Sequence, residues 1–63
     1  MTQLYHSDGR AVQPGDEVIS FRGEKFVVTG WPKTGRNRVW VRSSDSAYEH
    51  EFFPSVFNLS WEP

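Results

Sequence analysis

Lys25-Phe26-Val27-Val28-Thr29-Gly30-Trp31-Pro32, followed after a basic loop by Arg38-Val39-Trp40-Val41-Arg42, is the stretch that decides the class of fold. The first run is rich in the β-branched and aromatic residues that suit a pleated surface. Pro32 ends it, because proline cannot donate to a sheet ladder. The second run alternates polar and apolar residues with the period of two that marks a half-buried strand. Val39 and Val41 then share one face, and Arg38, Trp40 and Arg42 share the other. Between them Lys33-Thr34-Gly35-Arg36-Asn37 reads as a basic loop.

Outward from this pair the pattern repeats. Pro14-Gly15-Asp16 is a turn signal, and Glu17 to Phe21 is a short β-rich run that ends at Arg22-Gly23-Glu24. Ser43-Ser44-Asp45-Ser46 reads as a hairpin loop, and Ala47 to Phe53 as the next strand, with Tyr48, His50 and Phe52 on one side and Glu49 and Glu51 on the other. Pro54-Ser55 breaks that strand, and Asn58 to Trp61 can form a closing one. Residues 1–13 read as a loosely ordered N-terminal arm with an Asp8-Gly9 turn. No segment has a helical period. Four or five strands at spacings near ten residues predict an all-β fold, with residues 14–63 as a single domain. At this size a small barrel is the expected architecture, since closure removes exposed edges.

Length sets the energetic problem. A chain of 63 residues buries only about 60% of the surface its unfolded form exposes. It has no cysteine, so neither a disulfide nor a thiolate zinc site is available, as suits a reducing cytoplasm. Ten aromatic residues (five Phe, three Trp and two Tyr) offset the small size, because each buries a large area per residue ordered. Met1 is followed by polar residues rather than a signal peptide, and no apolar run approaches the roughly 20 residues that span a bilayer. Neither cofactor nor membrane is expected. The formal net charge of −1 hides a segregation: residues 1–21 sum to −2, residues 22–42 to +5 and residues 43–63 to −4.

Two local patterns carry a resemblance. Pro14-Gly15-Asp16-Glu17-Val18, with Phe21 and Gly23 following, resembles the opening of KOW-type small barrels. Phe53-Pro54-Ser55-Val56-Phe57 resembles the end of Src-homology-3 domains, where an aromatic-Pro-Ser sequence leads into a short 3-10 turn and the last strand. The chain as a whole resembles a group of short proteins encoded by phages of actinobacteria, through Asp8–Val18, Phe21–Glu24, Val28–Trp31 and Phe52–Glu62. These resemblances imply a four- to five-stranded Src-homology-3-like barrel, a short 3-10 turn before its last strand, a phage origin and action in the cytoplasm of an infected bacterium. They also raise a proline-rich ligand groove at Pro54 and Phe57. The tyrosine motif that would complete such a groove is absent, and Pro54 and Phe57 read better as residues that close the fold.

The chemistry of the side chains points to binding. Gly30 and Gly35 have the spacing of a phosphate loop, but Arg36-Asn37 follows and no helix opens there, so the cradle for a phosphate is missing. Glu49, His50 and Glu51 alternate faces along a strand and cannot form a catalytic dyad. Two histidines do not make a metal centre. No enzyme activity is expected. Arg38, Trp40 and Arg42, lying side by side on the outer face and flanked by Lys33 and Arg36 of the basic loop, form the candidate contact surface. Tryptophan and arginine dominate protein interface hot spots. The same trio can stack on bases while the guanidiniums take phosphates. A third reading pairs the arginines with Glu49 and Glu51 across the strands. The leading expectation is an interaction module for a host or phage protein. A small nucleic-acid-binding barrel is the alternative, held back by the acidic last third of the chain. A weak homodimer, drawn together by the +5 and −4 segments, is also expected as a possibility.

Overall fold

The computed structural model describes residues 3–33 and 36–61. Among these described residues lie six β-strands and one 3-10 turn: β1 (Leu4–Tyr5), β2 (Glu17–Ile19), β3 (Lys25–Gly30), β4 (Val39–Ser43), β5 (Glu49–Phe52), the 3-10 turn η1 (Pro54–Phe57) and β6 (Ser60–Trp61). β2, β3, β4 and β5 form an antiparallel meander, and β1 pairs with β6 in a separate two-stranded sheet. The expectation of an all-β fold with a 3-10 turn before the last strand is met. The count differs, with six strands in two sheets where four or five were expected, and the ladders do not close into a barrel. The physical reason lies at Pro54. It has no N–H to continue the β5 ladder, and η1 carries the chain away from the meander before β6 begins.

The core is a layer of valines backed by aromatics. Val39 and Val41 on β4 are fully buried, and Val28, Val18, Phe26, Trp31, Phe57 and Leu59 pack with them. The alternation across β4 is therefore as the sequence indicates, valines inward and Trp40 and Arg42 outward. Trp31 is more deeply buried than its position at a strand end suggests, at 6% exposure. Pro54 and Phe57 are both buried in the turn, in keeping with a fold-closing role.

The N-terminal segment departs from its expected character as an arm. Leu4 is 0% and Val12 1% exposed, both inside the single core cluster. β1 pairs with β6 through Leu4 opposite Trp61 and Tyr5 opposite Ser60. Val12 donates its N–H to the Leu4 carbonyl at 2.9 Å, and the Gln3 side-chain amide donates to the carbonyls of Leu4 and Val12. Leu4-Tyr5 and Ala11-Val12 are runs of two among polar residues, too short to leave a periodic signal, which is why the segment reads as an arm in sequence. The tight hairpin between them turns at Gly9, which holds φ +92°.

A polar contact fixes this hairpin to the meander. Asp16 accepts a hydrogen bond from His6 Nε2 at 2.9 Å and from the Gln13 N–H at 3.0 Å. These two bonds, the His6 bond first, hold the Asp16 carboxyl below its ordinary range. A lowered folded-state pKa stabilises the fold above the ordinary value, and that stabilisation disappears as pH falls through the folded value. Acid unfolding followed by circular dichroism should show a loss of stability below about pH 4, and Asp16→Asn should flatten that part of the profile. Leu4→Ala should cost about 2–5 kcal/mol in urea unfolding, against less than about 0.5 kcal/mol for a change in a solvated arm.

Candidate functional site

Trp40 lies at the centre of the outer face of β4, half-buried. Its position depends on Gly30, its cross-strand partner at an irregularity in the β3–β4 ladder. A Cβ at Gly30 would stand 3.3 Å from Trp40 Cε3, tighter than ordinary packing, so the absent side chain is what lets the indole approach the β3 backbone. The indole Nε1–H donates to Glu51 Oε2 at 2.9 Å. Trp40 and Glu51 are directly opposite in the β4–β5 register, so the sheet itself sets this bond.

Glu51 also gathers the basic residues. Arg36 Nη2 donates to Glu51 Oε1 at 2.6 Å, and Arg38 Nε lies 4.0 Å from the same oxygen. The Arg38 guanidinium stacks over the exposed ring of Phe53, 4.1 Å from its centroid, a cation–π geometry. The structure thus brings together three of the five residues singled out in sequence, Arg36, Arg38 and Trp40, around one carboxylate.

The other two stand apart. Arg42 is exposed on the same face as Trp40 and opposite Glu49 in register, but the Glu49 carboxylate accepts from the Thr29 hydroxyl at 2.6 Å. The expected cross-strand pairing is therefore realised at Glu51 and not at Glu49. Lys33 sits over the Trp31 ring, its Nζ 5.0 Å from the centroid. With Pro14, Gly30, Trp31 and Trp40 it lines a shallow pocket of about 260 Å³ beside the Trp40 ring. Thr34 and Gly35 of the basic loop lie outside the described residues. The loop is anchored beyond them, where Trp61 Nε1–H donates to Asn37 Oδ1 at 2.8 Å.

A second concavity escaped sequence reasoning. A cleft of about 540 Å³ opens on the other face of the meander, lined by Phe21, Phe26, His50, Phe52 and Val56, with Ser20, Arg22, Glu24 and Ser43 among them. Phe26, Ser43, His50 and Phe52 follow from the alternation of β3, β4 and β5. Phe21 does not, because it has left β2 and stands in the following turn, 77% exposed. The signal available in sequence was a large apolar residue placed between a strand end and Arg22-Gly23-Glu24. Among the described residues no group of three His, Cys, Asp or Glu side chains is placed to hold a metal ion.

No family model, curated protein or solved structure matches this chain.

The geometry gives a spectroscopic expectation. Glu51→Ala should move the indole N–H resonance of Trp40 and leave that of Trp61, bonded to Asn37, in place. Because the Arg36–Glu51 pair is largely solvated, the same change should lower stability by no more than about 1 kcal/mol.

Proposed function

We propose that the chain is a non-enzymatic interaction module that binds a protein partner through the face made by Arg36, Arg38, Trp40 and Arg42, with Lys33 at its margin. The observation that carries this reading is the Glu51 clamp on Trp40 and the arginines. A side chain fixed before binding loses little rotamer entropy on contact. A half-buried indole held by its N–H, beside a guanidinium stacked on Phe53, has the composition and rigidity of an interface hot spot. The clamp also argues against a strand of phosphates as first partner. Glu51 already neutralises part of the positive charge, and a phosphate would have to displace it from Arg36 and Arg38.

The meander, the 3-10 turn and the return of β6 to the N-terminal strand support a Src-homology-3-like arrangement. The resemblance to short proteins of actinobacterial phages, carried by Asp8–Val18 and Phe52–Glu62, favours a partner from the phage or its host, met in the bacterial cytoplasm. Nucleic acid is the second reading. It is favoured by one observation: among the described residues no carboxylate lies within ion-pair distance of Arg42 or Lys33.

Two variants separate these readings. Trp40→Ala removes the ring, and Arg42→Glu reverses charge at an exposed position; because Arg42 faces Glu49 in register, a retained folded spectrum is the control for that variant. Titration of labelled protein with short single- and double-stranded DNA at low and moderate salt should leave the amides of residues 36–42 unshifted. Shifts there that fade as salt rises would establish the nucleic-acid reading instead, since phosphate contacts release counterions. Capture from bacterial lysate should recover one partner with the wild type and lose it with both variants. Equal recovery by all three would remove this face from the function.

A further inference from the structure

The turn after β2 is built to hold an apolar side chain out in water. Ser20 is 7% exposed, and its backbone N–H donates to the Glu24 carbonyl at 2.8 Å, while Gly23 N–H donates to the Ser20 carbonyl at 2.8 Å. The Ser20 hydroxyl accepts from the N–H groups of Arg22 and Glu24, each at 3.2 Å. Phe21 N–H donates to the Val56 carbonyl at 3.0 Å, tying the turn to η1. Gly23, at φ +83°, supplies the left-handed residue the turn needs. Five hydrogen bonds thus fix a backbone whose most prominent side chain, Phe21, is 77% exposed.

That knob stands at the rim of a hole. The cleft beside it is lined by Phe26, Phe52, His50 and Val56, and its volume of about 540 Å³ is ample for a phenyl ring. Knob and hole on one face of the same molecule are self-complementary. A two-fold contact at the rim would let each Phe21 enter the other copy's cleft, because in an isologous contact residue i meets j while j meets i. The charges obey the same symmetry. Arg22, whose guanidinium lies 5.8 Å from the centroid of the Phe21 ring, and Glu24 border the same cleft with opposite signs, so a two-fold contact there can set Arg22 of each copy against Glu24 of the other.

We propose that this aromatic cleft is a self-association site, in which two copies of the chain exchange Phe21 side chains and pair Arg22 with Glu24. The surface differs from the Trp40 face, so the dimer leaves that face open to a partner. A stable interface covers about 800 Å² on each side, close to a fifth of the 4298 Å² surface of this domain. Nine lining residues fall short of that, so the dimer is weak and exchanges rapidly.

A dilution series from about 2 mM to about 20 μM, a span that brackets weak dissociation constants, tests this by amide chemical shifts and translational diffusion. The expected result is slower diffusion at high concentration, with shifts confined to residues 20–24, Phe26, His50, Phe52 and Val56. Phe21→Ser should abolish both effects while keeping the folded spectrum. Arg22→Glu alone and Glu24→Arg alone should each remain monomeric, and an equimolar mixture of the two should associate again. Concentration-independent spectra would overturn the proposal. Shifts centred on residues 36–42 would overturn it too, in favour of pairing between the basic and acidic segments. If Phe21→Ser fails to fold, the charge-exchanged mixture decides the matter, because both of its positions are exposed.

Discussion

Three phenylalanine rings hold the parts of this fold to one another. Phe26 comes from β3, Phe52 from β5 and Phe57 from η1. Their centroids lie 5.6, 5.5 and 5.6 Å apart for the pairs Phe26–Phe52, Phe26–Phe57 and Phe52–Phe57, all edge to face. Such contacts add about 0.5–1.5 kcal/mol each beyond the area they bury. In a domain with so little interior, the cluster joins the meander to the turn that returns the chain to β6 and so to β1. The cluster is also the wall of the cleft, since Phe26 and Phe52 are shared between core and groove. Stability and a potential binding surface therefore rest on the same rings.

The charge segregation along the chain takes on meaning across the sheet. The basic middle third supplies β3, β4 and the loop between them, and the acidic last third begins with the hairpin that turns back along β4. Antiparallel pairing sets Trp40 against Glu51 and Arg42 against Glu49. Opposite charges far apart in sequence become neighbours on one face, where they orient side chains more than they stabilise. Glu51 shows the distinction. Its ion pairs lie at the surface, but its bond to the Trp40 indole fixes the ring that the arginines frame.

Legibility in sequence followed periodicity. The runs from Lys25 and from Arg38 gave their strands and facing because alternation over five or more residues is a strong signal. Val39 and Val41 inward and Trp40 outward were readable from those residues alone. Leu4 and Val12 were not, because Leu4-Tyr5 and Ala11-Val12 are runs of only two and their burial depends on a hairpin closed by Gly9. Phe21 was legible as apolar but not as exposed, because a turn secured by the Ser20 hydroxyl overrides the tendency of phenylalanine to be buried. The site residues divide in the same way. Arg38 and Trp40 were placed by alternation, whereas the convergence of Arg36 on Glu51 depends on the path of a loop, which no periodicity encodes.

The free edge of β5 shows why association, where this domain undergoes it, would use side chains rather than backbone. β5 pairs with β4 alone, and among the described residues no other backbone bond covers its outer edge. Such an edge is a template for pairing with a second copy. Two β5 strands meeting antiparallel would bring the glutamates of one copy, Glu49 and Glu51, against those of the other on one face of the joint ladder, and like charges placed opposite are destabilising. The same two glutamates that organise the outer face thus blunt the edge beside it. The turn at Phe21 carries no such penalty, since Arg22 and Glu24 present one charge of each sign to a symmetry mate. Like charges disfavour extension of the sheet at its bare edge, whereas the turn places charges of both signs beside its one exposed aromatic side chain.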